Sequence, residues 1–382
     1  MAFVRDTSEP MKLHWFLPTG GDSRDLVPAG DDPHRRPPTF EYLATVARAA
    51  EQLGFEAMLT PTGTFCEDAW LTTAALLGET DRIKFLVAFR PGFVSPTLAA
   101  QMASTYQRMS GGRLLLNVVS GADTHELARF GDWLDHDARY ERAAEFLEVV
   151  HGSWSGEPFD FAGEHYRVQE ATTRQVPDPV PLVYFGGASP AAEQVAARLV
   201  DVYLAWGEPP AMVRERIERV GALAATHGRT LRFGIRFHVI SRDTSAAAWA
   251  EADRLLASVP DEAITAAQAD FAATQSVGQQ RMASLHGNGR DRASLEISPG
   301  VWAGVGLVRG GAGTAIVGSH EEVADVIATY HDLGFDEFIL SGYPHLEEAY
   351  WFGEGVMPVL RRRGLLADAA GAAPNAPMAT FR

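Results

Sequence analysis

Eight short apolar runs rich in Val, Phe and Leu recur along the chain, and amphipathic segments of helical length follow most of them. That alternation is the signature of βα units and a parallel sheet. Strands are predicted at Leu13–Leu17, Ala57–Leu59, Phe85–Phe89, Leu114–Val119, Val183–Phe185, Val202–Ala205, Phe233–Ile240 and Phe338–Leu340. Eight parallel strands point to an α/β fold of the (β/α)8 barrel class. The helix over Phe40–Leu53 shows the logic: Thr39 offers an N-cap oxygen, Tyr42, Leu43, Val46, Ala49, Ala50 and Leu53 recur at helical spacing, and Gly54 ends it. The same reasoning predicts helices near Pro96–Met109, Tyr140–Val150, Pro190–Leu199, Pro210–His227 and His320–Leu333.

Two stretches break this rhythm. Between Ser245 and Gly318 there are about seventy residues where one short connection would suffice, so an insertion after strand seven is expected. Its run Gly304-Val305-Gly306-Leu307-Val308-Arg309-Gly310-Gly311-Ala312-Gly313 carries too many glycines for a stable helix and reads as a mobile lid. The Ala-, Gly- and Pro-rich end reads as a flexible tail or an arm on a neighbouring subunit. The expected organisation is one barrel domain over residues 11–366, with insertion and lid over about 245–318, and a tail over 367–382.

Composition narrows the function. The 382 residues hold 49 acidic and 33 Lys or Arg side chains, a net charge of −16, which argues against binding to nucleic acid or an anionic membrane surface. The lysines are Lys12 and Lys84, and neither lies in a phosphate-binding G-x-x-x-x-G-K-[ST] loop. Cys66 is the single cysteine, so neither an internal disulfide nor a Cys-x-x-Cys site is available. No stretch has the apolar length of a membrane span, and the first residues lack the apolar run of a signal peptide. A cytoplasmic protein is expected.

The most informative segment is Phe233-Gly234-Ile235-Arg236-Phe237-His238-Val239-Ile240. Period-2 alternation puts Phe233, Ile235, Phe237 and Val239 on one face and Arg236 with His238 on the other. On barrel strand seven the basic pair would point into the lumen near the carboxyl end, where barrel active sites are built. A buried arginine calls for an anion, either a core carboxylate or a ligand. Cys66 follows strand two at the same mouth and reads as a pocket wall rather than a nucleophile. His14, Trp15 and Asn117 fit lumen layers or ordinary core equally well. Gly186-Gly187-Ala188-Ser189-Pro190 opens a helix after strand five and is either a tight turn or a phosphate cradle. The spacing Gly304-x-Gly306-x-x-x-Gly310 fails the dinucleotide fingerprint, and His125-Glu126 lacks the second histidine of a zinc motif. No metal site is expected.

Taken together, these strings resemble the two-component, flavin-dependent alkanesulfonate monooxygenases of the bacterial luciferase-like superfamily, over nearly the whole chain. The likeness is carried by Trp15-Phe16-Leu17-Pro18-Thr19, Cys66-Glu67-Asp68-Ala69-Trp70, Tyr184-Phe185-Gly186-Gly187, Trp206-Gly207-Glu208-Pro209-Pro210, Phe233-Gly234-Ile235-Arg236, Trp302-Ala303-Gly304-Val305-Gly306-Leu307-Val308-Arg309-Gly310-Gly311 and Ser341-Gly342-Tyr343-Pro344-His345-Leu346-Glu347-Glu348. The resemblance implies a (β/α)8 fold with an insertion near strand seven. It implies reduced FMN (FMNH2) from a separate NAD(P)H-dependent FMN reductase, O2 as cosubstrate, and an organosulfonate cleaved to aldehyde and sulfite.

By the same resemblance Cys66, Trp206, Arg236, His238, Arg309 and Tyr343 fall at active-site positions. Arg236, and Arg309 once the lid closes, would hold the sulfonate; His238 would hydrogen-bond or relay a proton; Tyr343 would donate a hydrogen bond; Trp206 would shape the flavin pocket. His136, Tyr140, Gly187 and Ser189 are implied contacts to the FMN phosphate and ribityl chain, and Asn117 is counted with the flavin contacts. Family members are homo-oligomers, dimers or tetramers. The sequence departs from the family pattern at Gly20, where His is frequent, and at Thr64-Phe65, where Arg-Ser is frequent. Gly20 is expected to enlarge the substrate pocket, in keeping with a sulfosugar such as sulfoquinovose as well as an alkanesulfonate. The same fold and flavin acting on a sulfone, an alkane or a heterocycle is the alternative.

Overall fold

The alternation along the eight predicted strands resolves into two faces of one closed sheet. In the computed structural model, which describes residues 10–121, 123–287 and 289–367, the strands are β1 (Lys12–Phe16), β2 (Ala57–Thr60), β3 (Lys84–Phe89), β4 (Leu114–Val118), β5 (Val183–Gly186), β6 (Val202–Trp206), β7 (Arg232–Arg242) and β8 (Glu337–Ser341). Each pairs in parallel with its neighbours, and β8 returns to β1 in the register Lys12 to Glu337 through Trp15 to Leu340. The chain is thus a (β/α)8 barrel whose eight strands leave no edge between them. One face of every strand packs outward against the helices: Trp15, Phe85, Phe185, Phe233, Phe237 and Phe338 are all fully buried there. The other face fills the lumen with Phe16, Leu59, Leu86, Leu115, Tyr184, Val202 and Ile339.

Local signals set the helix ends. Thr39 Oγ1 accepts from Tyr42 N at 3.3 Å, and Gly54 closes the helix Phe40–Leu53 in the left-handed region at φ 95°. Pro190 occupies the first position of the helix Pro190–Leu199, whose N-cap Ser189 accepts from Ala192 N at 3.3 Å. Among the described residues no helix is long and apolar enough to cross a membrane.

The amino-terminal floor of the lumen is polar. His14 Nε2 lies 2.9 Å from Glu337 Oε2, Tyr184 donates to the same oxygen at 2.6 Å, and Arg232 ion-pairs with that carboxylate. Burial pushes the His14 imidazole down to about 3, so it is neutral and its N–H donates to Glu337. The unfolded chain takes up a proton near the ordinary pKa of 6.5 and the native chain does not, so unfolding gains as pH falls below 6.5. His14→Asn removes that term. The stability advantage of wild type over this variant is expected to shrink by about 1.4 kcal/mol per pH unit from 6.5 towards 5, read from denaturant melts.

Strand β7 is longer than the barrel needs. Gly234 to His238 pair with β8, while His238 to Arg242 pair with Ala315–Ser319, a strand that the sequence pattern did not reveal. The insertion after β7 runs through helices Ser245–Ala257, Asp261–Ala272, Val277–His286 and Arg292–Leu295 into antiparallel strands Glu296–Ser298 and Val301–Trp302, which extend the sheet through Ala315–Ser319. Part of the run expected as a mobile lid is packed against its own insertion. Gly304–Leu307 forms a buried 3-10 turn, and a Cβ on Gly304 would stand 1.9 Å from the Trp302 ring. These glycines admit an indole and a neighbouring backbone rather than freedom. The expected tail lies outside the described residues beyond Ala367, and the chain before Pro10 is likewise outside them.

Candidate active site

The carboxyl ends of the strands open on a cavity of about 320 Å³. It is lined by Phe16 of β1, Leu59 of β2, Ala88 of β3, Asn117 of β4, Leu204 and Trp206 of β6, Arg236 and His238 of β7 and Ile339 of β8, together with the loops that follow. Among the described residues no Asp or Glu side chain lines it. Among the described residues no cluster of His, Cys, Asp and Glu is placed to hold a metal ion.

Arg236 reaches this wall because β7 alternates as the sequence predicts. Its guanidinium lies 4.4 Å from the centre of the Phe16 ring, and no carboxylate pairs with it among the described residues. Its buried Nε has no hydrogen-bond partner among the described residues. Burial and then the charge of Arg309 push the guanidinium down to about 10, still protonated near neutral pH. Arg309 lines the same cavity, 5.7 Å over the Tyr343 ring. Arg236 and Arg309 thus place two like charges on one cavity wall, and among the described residues no carboxylate pairs with either.

His238 stands where β7 leaves the barrel. Its Nε2 is 3.0 Å from the Ala312 carbonyl, which can only accept, so that nitrogen carries the proton and Nδ1 accepts from Ser341 Oγ at 2.9 Å. Burial, with Arg236 and Arg309 nearby, holds the imidazole well below its ordinary range. Both nitrogens are therefore engaged, and His238 is a neutral clip fastening the Arg309–Ala312 segment to the barrel. The residue expected to hydrogen-bond or relay a proton thus has both ring nitrogens paired, with Ser341 and Ala312. Tyr343 stacks on His238 at 5.5 Å but lies behind it rather than on the cavity wall; its buried hydroxyl has no partner. His345, whose Nδ1 is 2.8 Å from Asp22 Oδ1, packs edge-on against Tyr343 and fixes it from behind.

Another part of the cavity wall gathers His136, Tyr140, Gly187 and Ser189. His136 opens the helix His136–Ser153, and Gly186 to Ser189 lead into the helix Pro190–Leu199, so two positive helix ends converge there. A Cβ on Gly187 would be 2.5 Å from Ala192 Cβ and 3.1 Å from Tyr140 Oη, so only glycine fits this turn. The Ser189 oxygen caps its helix and leaves its O–H free to donate.

The lid segment is held by residues that periodicity did not single out. Gln279 accepts from Gly311 N at 2.8 Å, Gln268 donates to Gly306 O and Leu307 O, and Thr314 donates to Gly207 O at 2.6 Å. Arg281, on the same helix as Gln279, joins buried Glu208. Burial alone would raise the Glu208 carboxyl, but Arg281 and Arg216 outweigh it and hold it below the ordinary range. A glutamine on a helix carries no sequence signal for such a latch; the contact exists only because the Gly-rich run folds back.

Two residues expected at the substrate lie off the lining of this cavity. Cys66 and Gly20 are not on the cavity wall; the loop after β2 presents Phe65 there instead. The Cys66 thiol turns to the carbonyls of Gly63 at 3.5 Å and Pro61 at 3.7 Å, and burial pushes it up to about 11, so it is an inert thiol at neutral pH. A Cβ on Gly20 would meet the Phe65 carbonyl at 3.0 Å, so the space beside Gly20 is filled by Phe65 rather than opened.

Among the described residues, a cavity without carboxylates opens at the carboxyl face of the barrel, where enzymes of this fold carry their active sites. Residues 11–337 match the model of the luciferase-like monooxygenases, and the chain belongs to that family. Solved structures agree on the fold. A riboflavin lyase bound to modified FMN and riboflavin superposes with a TM-score of 0.76 at 19% identity, covering 95% of this chain and 94% of that one. EDTA monooxygenase from Chelativorans sp. BNC1 gives 0.74 at 21% identity over 94% and 95%. A long-chain alkane monooxygenase gives 0.75 at 18% identity over 94% and 93%.

Proposed function

We propose that this protein is an FMNH2-dependent monooxygenase that cleaves the C–S bond of an organosulfonate. The observation that carries this reading is the pair Arg236 and Arg309, both without a carboxylate partner among the described residues, facing a cavity wall with no acidic side chain. The balanced reaction converts RCH2SO3⁻, O2 and FMNH2 into RCHO, HSO3⁻, FMN and H2O.

The cavity suits FMN where Gly187 leaves room beside Tyr140 and two helix N-termini converge. His136, Tyr140, Ser189 and the backbone at Gly187 would hold the phosphate and ribityl chain, and Asn117, Leu59, Ala88 and Trp206 would bound the ring. Reduced FMN, when bound, supplies the electrons that activate O2. Arg236 and Arg309 bind and orient the sulfonate and take up the charge that builds on the departing sulfite. His238 holds the Arg309 segment over the mouth and so excludes water. An NAD(P)H-dependent FMN reductase supplies the flavin.

The test is sulfite release in air with FMN, NADH and a generic FMN reductase, over linear alkanesulfonates, a buffer sulfonate and sulfoquinovose. Sulfite that depends on both reduced flavin and O2 is expected. No sulfite across the panel, with reduced FMN still bound, would transfer the reading to a monooxygenase acting on another bond. FMN retained tightly through purification would count against a separate reductase.

A further inference from the structure

Phe65 is an unusual cavity residue: it lines the wall, yet 65% of it is open to solvent. Its ring folds back over Gly63, where a Cβ would stand 2.4 Å from Cε1, and lies beside Gly20, whose Cβ would be 3.8 Å from Cδ2. Two glycines thus give the ring a flat seat, and no aromatic ring stacks on its other face among the described residues. Leaving most of a Phe side chain in water forgoes the hydrophobic gain of burying it. The lining residues nearest it along the chain, Leu59, Pro61 and Thr62, offer one hydroxyl among apolar groups. The cavity is therefore polarised, with unpaired cations at Arg236 and Arg309 and an aromatic platform at the opening.

We propose that Phe65 determines substrate specificity, stacking on an apolar aryl or long alkyl body of a sulfonate whose anionic head is held by Arg236 and Arg309. This rests on the organosulfonate reading and narrows it. A headgroup alone satisfies the arginines but leaves Phe65 wet. A hydroxyl-rich sugar body would find a single hydroxyl beside Phe65 to satisfy its own polar groups, and each unsatisfied one opposes binding. An apolar body removes Phe65 and itself from water together.

The test compares kcat/KM for ethanesulfonate, octanesulfonate, 3-phenylpropane-1-sulfonate and sulfoquinovose in wild type, Phe65→Ala and Phe65→Tyr, by sulfite release with FMN, NADH and a reductase. Wild type is expected to favour the octyl and phenylpropyl compounds over ethanesulfonate by at least about tenfold, as expected for added hydrophobic contact in a pocket. In Phe65→Ala that ratio falls about tenfold through the KM of the longer substrates, and Phe65→Tyr restores it. A merely structural role would lower every substrate by the same factor and leave the ratio intact, which would overturn the proposal. A wild-type preference for ethanesulfonate or sulfoquinovose would overturn it equally, with the sulfonate reading still standing. No sulfite from any substrate would overturn both.

Discussion

Arg236→Met is expected to abolish most turnover of an anionic substrate while raising the melting temperature. The guanidinium is desolvated over Phe16 without a carboxylate partner, and Nε makes no hydrogen bond. Holding such a charge opposes folding, and an apolar side chain of similar volume in its place is expected to stabilise the protein by about 1–3 kcal/mol. Substrate binding is the step that gains from the unpaired cation. Each charge-assisted hydrogen bond contributes about 1.5–3 kcal/mol, so losing a two-pronged contact is expected to raise KM by about 10²- to 10⁴-fold. Arg236→Lys keeps the charge and loses the planar fork, so it should recover part of the loss. Steady-state sulfite release and a thermal melt measure both halves. A KM within about threefold of wild type, below what one such bond contributes, would mean that the ligand is neutral.

That opposition between stability and binding explains what the sequence made legible. The strands and helices could be read because apolar period and caps agree, as at Thr39, Gly54 and Ser189. Arg236 and His238 were legible as a pair because one strand's alternation puts them on the face opposite Phe233, Ile235 and Phe237. Gly187 and Ser189 were legible as a turn or a phosphate cradle ahead of a helix, His136 and Tyr140 only through resemblance, and the fold brings all four to the cavity wall. What stayed hidden depends on contacts between distant segments. Ala315–Ser319 has no strand signature of its own until His238 to Arg242 leave the barrel and offer an edge. The Gly-rich run was ambiguous because glycine serves either freedom or close approach, and the Trp302 ring decides for approach at Gly304. Cys66 and Gly20 lie one residue and one loop away from the side chain that meets the cavity, a difference set by where the chain turns after β2.

The latch at Glu208 gives the other large effect. Glu208→Gln is expected to destabilise the protein by about 3–5 kcal/mol, the loss typical of removing one partner from a buried ion pair. Glu208 is fully buried and receives Arg216 Nη2 at 2.7 and 2.8 Å and Arg281 Nε and Nη2 at 2.7 and 2.9 Å. A neutral amide leaves two guanidinia facing one oxygen, with Arg216 buried and unable to turn to water. The second consequence is functional. Arg281 shares the helix Val277–His286 with Gln279, which holds Gly311, and with Gly278, where a Cβ would stand 2.9 Å from the Trp206 ring. Loosening that helix releases the backbone between Arg309 and Ala312 from one side and leaves the His238 clip at Ala312 and the bond from Arg309 N to Val305 O. Trypsin should then cut after Arg309 faster in Glu208→Gln than in wild type, and the KM of the substrate should rise. Arg281→Met separates the two effects. It keeps the Arg216 pair in the core, so most of the stability should remain while cleavage at Arg309 still accelerates. If Glu208→Gln melts with wild type, the buried cluster holds no more than its packing. If it melts early but Arg309 stays protected in both variants, the helix does not carry the lid.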